Sequence, residues 1–412
     1  MPADVIIIGG GIVGLASAER LQAAGRRVTL IERAGIARGA SFGNAGAFAF
    51  SDILPLAAAV RLSRLPRWLI DPLGPLAIPP AYLPKILPWL LRFWRAGRSD
   101  RVARSTMAQT ALMRLAESEM AALTAAAGLA GMVRVEGSLE LYESEGELAA
   151  SAAGWQARGA AGIAFEHVRG ERLAALQPGL SPRFPVGTFV PEWQMVEDPF
   201  TFARRLADHV TAAGAEVIAA EATALRPEGE TVAVTLADGR ELAARAAVVA
   251  AGAFSRRLTD PLGDRIPLET ERGYNTTLPP GAFDVRRELI FGGHGFVVVP
   301  LASGIRIGGA VELGGLDLPP DYRRSEAMLT KAAAFLPGLR TEGGTRWMGF
   351  RPSLPDSLPV IGASRAGPRI VYAFGHGHLG LTQSAATGRL VADLLCGRPP
   401  AIDIAPFSPQ RF

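Results

Sequence analysis

The chain has 412 residues, 49% hydrophobic and 20% charged, with a formal net charge of +4. These values exclude wholesale disorder, and the length favours two domains over one simple core. A single cysteine, Cys396, excludes a disulfide framework and any multi-cysteine metal centre, so no metal site is expected.

Met1-Pro2-Ala3-Asp4 runs directly into Val5-Ile6-Ile7-Ile8, with no basic region of a secretory signal before it. No stretch reaches the ~18 uncharged apolar residues of a spanning helix. With the lone cysteine, this points to a reducing, cytoplasmic setting. Val5–Ile8 reads as a strand buried on both faces, the pattern of parallel sheets. Gly9-Gly10-Gly11-Ile12-Val13-Gly14 follows, then a helical run from Leu15 to Ala24 closed by Gly25. A second strand, Arg27 to Ile31, ends at Glu32.

Together these residues form the G-x-G-x-x-G fingerprint in the strand–turn–helix context it requires. Gly9 permits the tight turn, Gly11 lets backbone approach a pyrophosphate, and Gly14 lets helix and strand pack closely. The helix amino terminus, at Ile12 and Val13, supplies free N–H groups and positive dipole for phosphates. Glu32 is placed to take the ribose hydroxyls of an adenosine. A dinucleotide site is expected here.

The next segment sets a puzzle. Residues 53–104 carry nine Lys/Arg against Asp71 and Asp100, and contain Trp68, Trp89 and Trp94 among leucines and prolines. No nucleic-acid module accompanies that charge. Two uses are open: contact with an anionic membrane surface, or a lid packed on the rest of the protein. The prolines argue for short helical pieces rather than one long helix. A helix is expected from Thr106 to Ala127.

Further along come a helix from Phe200 to Ala212 and a short apolar strand ending at Ile218. A hairpin turned by Asp238-Gly239 follows, then a buried strand ending in Ala250-Ala251-Gly252-Ala253-Phe254-Ser255. Arg306 and Glu312 fall on strands, where structural roles are expected. Trp347-Met348-Gly349-Phe350-Arg351-Pro352 is a proline-braced stretch that can present an arginine fork to a carboxylate, or pair it with Asp356. The last turn, Gly375-His376-Gly377-His378-Leu379-Gly380-Leu381-Thr382, precedes a helix from Ala385 to Leu395. A plain NAD domain would continue with more strand–helix units. The small-residue loop Arg38 to Gly46 instead suits a large planar cofactor.

The fingerprint, the Ala40–Gly46 loop, the Ala250–Ser255 strand end, the Gly349–Pro352 block and the Gly375–Thr382 turn keep their order along the chain. In this it resembles the D-amino-acid oxidase/dehydrogenase family of flavoproteins, particularly its bacterial dehydrogenase branch. The resemblance implies an α/β chain whose FAD-binding Rossmann-like domain (1–52, 196–262 and 346–412) interleaves with an antiparallel-sheet substrate domain (130–195 and 263–345), bridged by 53–129. It implies non-covalent FAD, with adenosine on Gly9–Glu32 and Arg33. The flavin ring would lie between Ser41–Gly46 (with Asn44 and Ala45) and Gly377–Thr382 (with Leu379, Gly380 and Leu381), and Ala40, Ala251 and Gly252 would also touch the cofactor.

By the same resemblance Arg351 would bind the substrate's α-carboxylate, and Tyr274 and His378 would stand near substrate or flavin. The implied reaction is hydride transfer from a D-amino acid, yielding a 2-oxo acid and ammonia without an obligatory side-chain base. Secondary amines such as hydroxyproline, proline or sarcosine are a close alternative, as is a flavoprotein subunit of a larger electron-transfer complex. Electrons would pass to a quinone or other non-oxygen acceptor, with peripheral contact at the inner face of the cell membrane; no nucleic-acid partner is expected.

Overall fold

The structure is a computed structural model that describes residues 3–59, 74 and 76–412. Arg61, Arg64, Arg67, Trp68 and Asp71 of the basic segment lie outside the described residues. Two large sheets organise the chain. The first has six strands, in the order Glu216–Ala219, Val28–Glu32, Val5–Ile8, Ala246–Val249, Gly367–Phe374 and Val360–Ser364. The first five run parallel and the last is antiparallel.

Val5–Ile8 lies in the middle and is buried throughout, which is why it reads as an unbroken apolar run. Its alternate side chains serve two cores. Val5 and Ile7 meet the Ile12–Ala23 helix and the closing Gly380–Leu395 helix, with Leu15, Leu21, Ala385 and Val391. Ile6 and Ile8 meet Val232, Val234 and Leu236 of a three-stranded sheet on the other face.

The second sheet runs Thr345–Ser353, Glu269–Leu278, Gly304–Glu312, Phe296–Leu301, Glu288–Phe291, Ser138–Tyr142, Val186–Val190 and Glu166–Arg169, with Leu76–Ala77 pairing beside Gly304–Glu312. Most neighbours are antiparallel, but Glu288–Phe291 runs parallel to Ser138–Tyr142. Thr345–Ser353 pairs along its length with Glu269–Leu278. Residues 346–353, expected with the first domain, therefore belong to the second sheet.

Three helices differ from expectation. The helix expected from Thr106 begins at Ser99, and the last begins at Gly380 rather than Ala385, making Gly380, Leu381 and Thr382 its first turn. Leu83–Ala96 forms a 14-residue helix that runs through Pro88. Pro84 sits in its first turn, where no N–H bond is lost. Pro88 forfeits an internal bond, at a cost of ~3 kcal/mol. Burial of Ile86 and Trp89 against Leu313 offsets that cost, at roughly 1.5–3 kcal/mol for a large apolar side chain.

Candidate active site

Between the two sheets lies a cavity of about 1270 Å³. At one end the fingerprint turn is built by close contacts. Gly9 has φ +116°, and a Cβ there would collide with the Ala250 carbonyl oxygen; a Cβ on Gly14 would collide with the Gly9 carbonyl oxygen. Gly11 faces open space apart from the Ser41 hydroxyl, leaving a cradle at the helix amino terminus. Ser41 Oγ already accepts from Ile12 N–H at 3.0 Å. At the end of its strand, the Glu32 carboxylate accepts from Gly10 N–H and Ala34 N–H, each at 2.8 Å. The Arg33 guanidinium lies 3.7 Å from the centre of the Phe254 ring, in the same wall.

The loop expected to face a planar ring is held on the substrate sheet. Asn275 Nδ2–H donates to Gly43 O at 2.8 Å, and Arg306 Nη1–H to Asn44 O at 2.5 Å. Arg306 thus has the structural role expected for it. Opposite, Thr382 Oγ1 accepts from Ala49 N–H, tying the first turn of the last helix to the strand after the loop. Of the residues expected at the cofactor, all border the cavity except Gly14 and Gly46. Gly14 acts from behind, by letting Gly9 approach; Gly46 bonds to Asn44 and shapes the turn. Cys396 caps the last helix and is not among the residues lining the cavity. The cradle, the free helix terminus and the apolar walls fit FAD.

Arg351 reaches the cavity from the Thr345–Ser353 strand. Its guanidinium lies over Gly273 of the neighbouring strand, where any Cβ would displace it. It donates to the carbonyls of Ala310 at 3.2 Å and Gly309 at 3.5 Å. Burial pushes its pKa down, and the nearby charge of Glu271 opposes that shift. Asp356, the structural partner considered for it, is held instead by Arg411, at 2.8 and 3.2 Å. Among the described residues no carboxylate lies within ion-pair distance of Arg351.

Two expected residues sit differently from Arg351. Tyr274 borders the cavity, but its ring packs in the substrate-domain core and its hydroxyl donates to Glu312, which also pairs with Arg272 at 2.9 Å. Strand alternation puts Arg272 and Tyr274 on the face opposite Gly273, so the ring turns away from Arg351. Burial pushes the Tyr274 hydroxyl up to about 12. His378 lines the cavity yet is exposed, with Nε2 3.5 Å from Asp52 Oδ2. His376 is the buried one: Nε2 meets Thr387 Oγ1 at 2.9 Å, and burial pushes its pKa down to about 3, so the ring is neutral.

An acidic end of the cavity was not foreseen from the sequence. Glu140, Glu288 and Asp52 line the cavity beside Trp155, Trp193 and Arg158. Register places Ser138 opposite Glu288 and Glu140 opposite Ile290, on one face of the sheet. Burial pushes Glu288 up to about 8; Trp193 Nε1–H donates to it at 2.8 Å. Burial raises Glu140 too. Burial also acts upward on Asp52, but bonding to His378 and the charge of Arg158 hold its carboxyl below the ordinary range. Parity along the strands could have paired Glu140 with Ser138, but nothing local revealed the neighbouring strand. Among the described residues no group of three or more His, Cys, Asp or Glu is placed to hold a metal.

A Rossmann-like dinucleotide cradle opening onto a second, largely antiparallel sheet with an arginine fork defines a flavoprotein of the amino-acid-oxidising kind. The family model described as FAD dependent oxidoreductase (DAO) matches residues 4–394, and the chain belongs to that family. It is 39% identical to a D-amino-acid oxidase of Bradyrhizobium diazoefficiens, over 99% of this chain and 98% of that protein. It is 30% identical to a D-amino acid dehydrogenase of Rhizobium johnstonii, over 99% of each. Among solved structures, glycine oxidase from Geobacillus kaustophilus superposes with a TM-score of 0.79 at 22% identity, covering 100% of this chain and 99% of that one. L-Proline dehydrogenase from P. horikoshii gives 0.74 at 20%, covering 100% and 98%. The chain is an FAD-dependent amino acid oxidoreductase.

The raised Glu288 makes a pH prediction. A folded-state pKa near 8, above the ordinary 4.5, means the native state holds a proton that the unfolded chain releases. Native stability then declines as pH rises from about 4.5 to 8. Glu288→Gln keeps the shape and can still accept from Trp193. Its melting temperature should gain on the wild type progressively across that window, as read by thermal scans at pH 5, 6.5 and 8.

Proposed function

We propose that the protein is a D-amino acid dehydrogenase, converting its substrate to a 2-oxo acid and ammonia and passing electrons to a quinone or other non-oxygen acceptor. The observation that carries this is Arg351, a half-buried guanidinium facing the cavity with only backbone carbonyls as partners. A substrate carboxylate would complete its fork in bidentate geometry. Bound FAD would supply the two-electron acceptor chemistry. The cradle formed by Gly9, Gly11 and the Ile12–Ala23 helix would hold the pyrophosphate, and Glu32 the ribose. Ser41–Gly46 and Gly377–Thr382 would hold the ring between the two sheets. Arg351 would then aim the substrate's Cα–H at it, which is a matter of position rather than of acid–base strength. Relatives named for D-amino acids support the handedness.

Removing a buried charge from its partner costs about 3–5 kcal/mol, equivalent to a factor of some hundreds or more. Arg351→Ala should lower kcat/KM for D-amino acids by at least that factor while retaining FAD, measured anaerobically by flavin bleaching. Gly273→Ala, which pushes the fork aside without removing it, should raise KM about tenfold or more. Bleaching by L- but not D-amino acids, or an Arg351→Ala enzyme with undiminished kcat/KM, would overturn the assignment. Reoxidation faster with oxygen than with a soluble quinone would overturn the acceptor.

A second observation favours contact with a membrane. The Leu83–Ala96 helix buries Ile86 and Trp89, and its residues 89–91, 93 and 94 line the cavity, so it acts as a lid. Leu83 and Leu87, away from the cavity, are 46 and 49% exposed, and Leu91 and Trp94, at its mouth, are 49 and 57% exposed. Lys85, Arg92, Arg95 and Arg98 are exposed on the same segment. We infer that this face rests on an anionic bilayer, with about 1 kcal/mol from each basic residue near the surface. No helix among the described residues is long and apolar enough to cross a membrane. The protein should float with vesicles containing phosphatidylglycerol but not with neutral ones, and Leu87→Ala/Leu91→Ala/Trp94→Ala should stay behind. Equal, negligible flotation of both forms would discard the contact; a concentration-dependent dimer lost in the variant would assign the face to a second copy instead.

A further inference from the structure

Glu271 is a carboxylate that nothing above employs. It is only 6% exposed, yet borders the cavity, and it stands directly opposite Arg351 in the strand register. Alternation along Glu269–Leu278 points Glu271, Gly273 and Asn275 to the cavity face, while Arg272 and Tyr274 turn back to Glu312.

Its charged neighbours are otherwise engaged. Glu269 accepts from the Tyr82 hydroxyl at 3.0 Å and from Thr270 N–H at 2.8 Å. Arg272 is paired with Glu312. Among the described residues no hydrogen bond or ion pair engages the Glu271 carboxylate itself. Arg351 feels its charge but bonds to the carbonyls of Gly309 and Ala310. The guanidinium lies over Gly273, two residues along the strand from Glu271, about 7 Å. Two opposite charges thus face one cavity without closing on each other. A molecule bearing a carboxylate and an ammonium on one carbon can offer one group to each.

We propose that Glu271 binds the substrate's α-ammonium group and takes its proton before oxidation, completing with Arg351 a two-point clamp for the zwitterion. The step is a proton transfer alone: an N–H bond breaks, an O–H bond forms on the carboxylate, and the nitrogen keeps its lone pair. No oxidant is consumed in it. This rests on the reading of Arg351 as the carboxylate fork. It assigns to the amine a base that the family resemblance does not require.

The test uses the FAD-loaded enzyme and two ligands: D-alanine as substrate, and propionate as the same acid without its amine. Glu271→Gln should lose about 10²-fold or more in kcat/KM for D-alanine at neutral pH, the scale of general-base catalysis. The loss should shrink as pH rises and the free amine becomes abundant. Propionate, read by the flavin absorbance shift, should bind the variant as tightly as the wild type or tighter. Glu271→Asp, which keeps the charge, should recover most of the rate and serves if the glutamine variant does not fold. A glutamine variant within twofold of wild type at every pH overturns the proposal. So does parallel loss of propionate and D-alanine, which would make Glu271 only a positioning residue for Arg351. Undiminished propionate binding in Arg351→Ala would instead sink the carboxylate fork, a separately visible failure.

Discussion

The arrangement depends on one strand pair. Thr345–Ser353 lies against Glu269–Leu278 so that Arg351 stands beside Glu271 and its guanidinium folds over Gly273. A long cationic side chain normally escapes to water; this one is led inward because the adjacent strand offers no side chain at the crossing. It is then stopped by two carbonyls of the next strand. Backbone acceptors satisfy part of the guanidinium without neutralising it, so the charge stays available to whatever enters the cavity. A carboxylate partner in that place would have made a quiet structural ion pair. Asp356, close in sequence, could have served, but it is committed to Arg411.

The same logic separates the two ends of the cavity. At the fingerprint end, backbone geometry does the work: turns that exclude any Cβ and a helix amino terminus aimed into the cavity. At the far end, Glu140 and Glu288 are carboxyls that burial drives toward the neutral form. Asp52, beside Arg158 and His378, stays charged. Neighbouring acids in one cavity therefore differ in charge because of their partners, not their chemistry.

Much of the fold was legible because its signals are local. Val5–Ile8 is buried on both faces and looks it; the fingerprint glycines stand in the strand–turn–helix order that gives them away, although Gly9 is fixed by the distant Ala250 carbonyl; Asp198 caps the helix that Pro199 begins. Arg351 was legible through its proline-braced frame. What failed to show was parity and partnership. Tyr274 was expected near substrate or flavin from the family resemblance alone. Which face it takes is fixed by Glu312 on a strand almost forty residues away, whose pairing sequence does not reveal. Glu271 had no local signature: a lone glutamate in a strand reads as solvated until the opposite strand is known. The early starts of the helices at Ser99 and Gly380 share a cause. Polar and glycine-bearing first turns read as loop, yet packing against neighbouring elements makes them helical.

The first sheet also constrains how the chain can be made. Its central strand, Val5–Ile8, is flanked on one side by Ala246–Val249, which in turn needs Gly367–Phe374 beyond it. Nearly the whole polypeptide must therefore leave the ribosome before that layer can be completed, and contacts of such separation form slowly. Until then an apolar edge stays open to mispairing. Neither half should survive as an excised fragment, and yield in a foreign host should depend on help from chaperones more than on native-state stability.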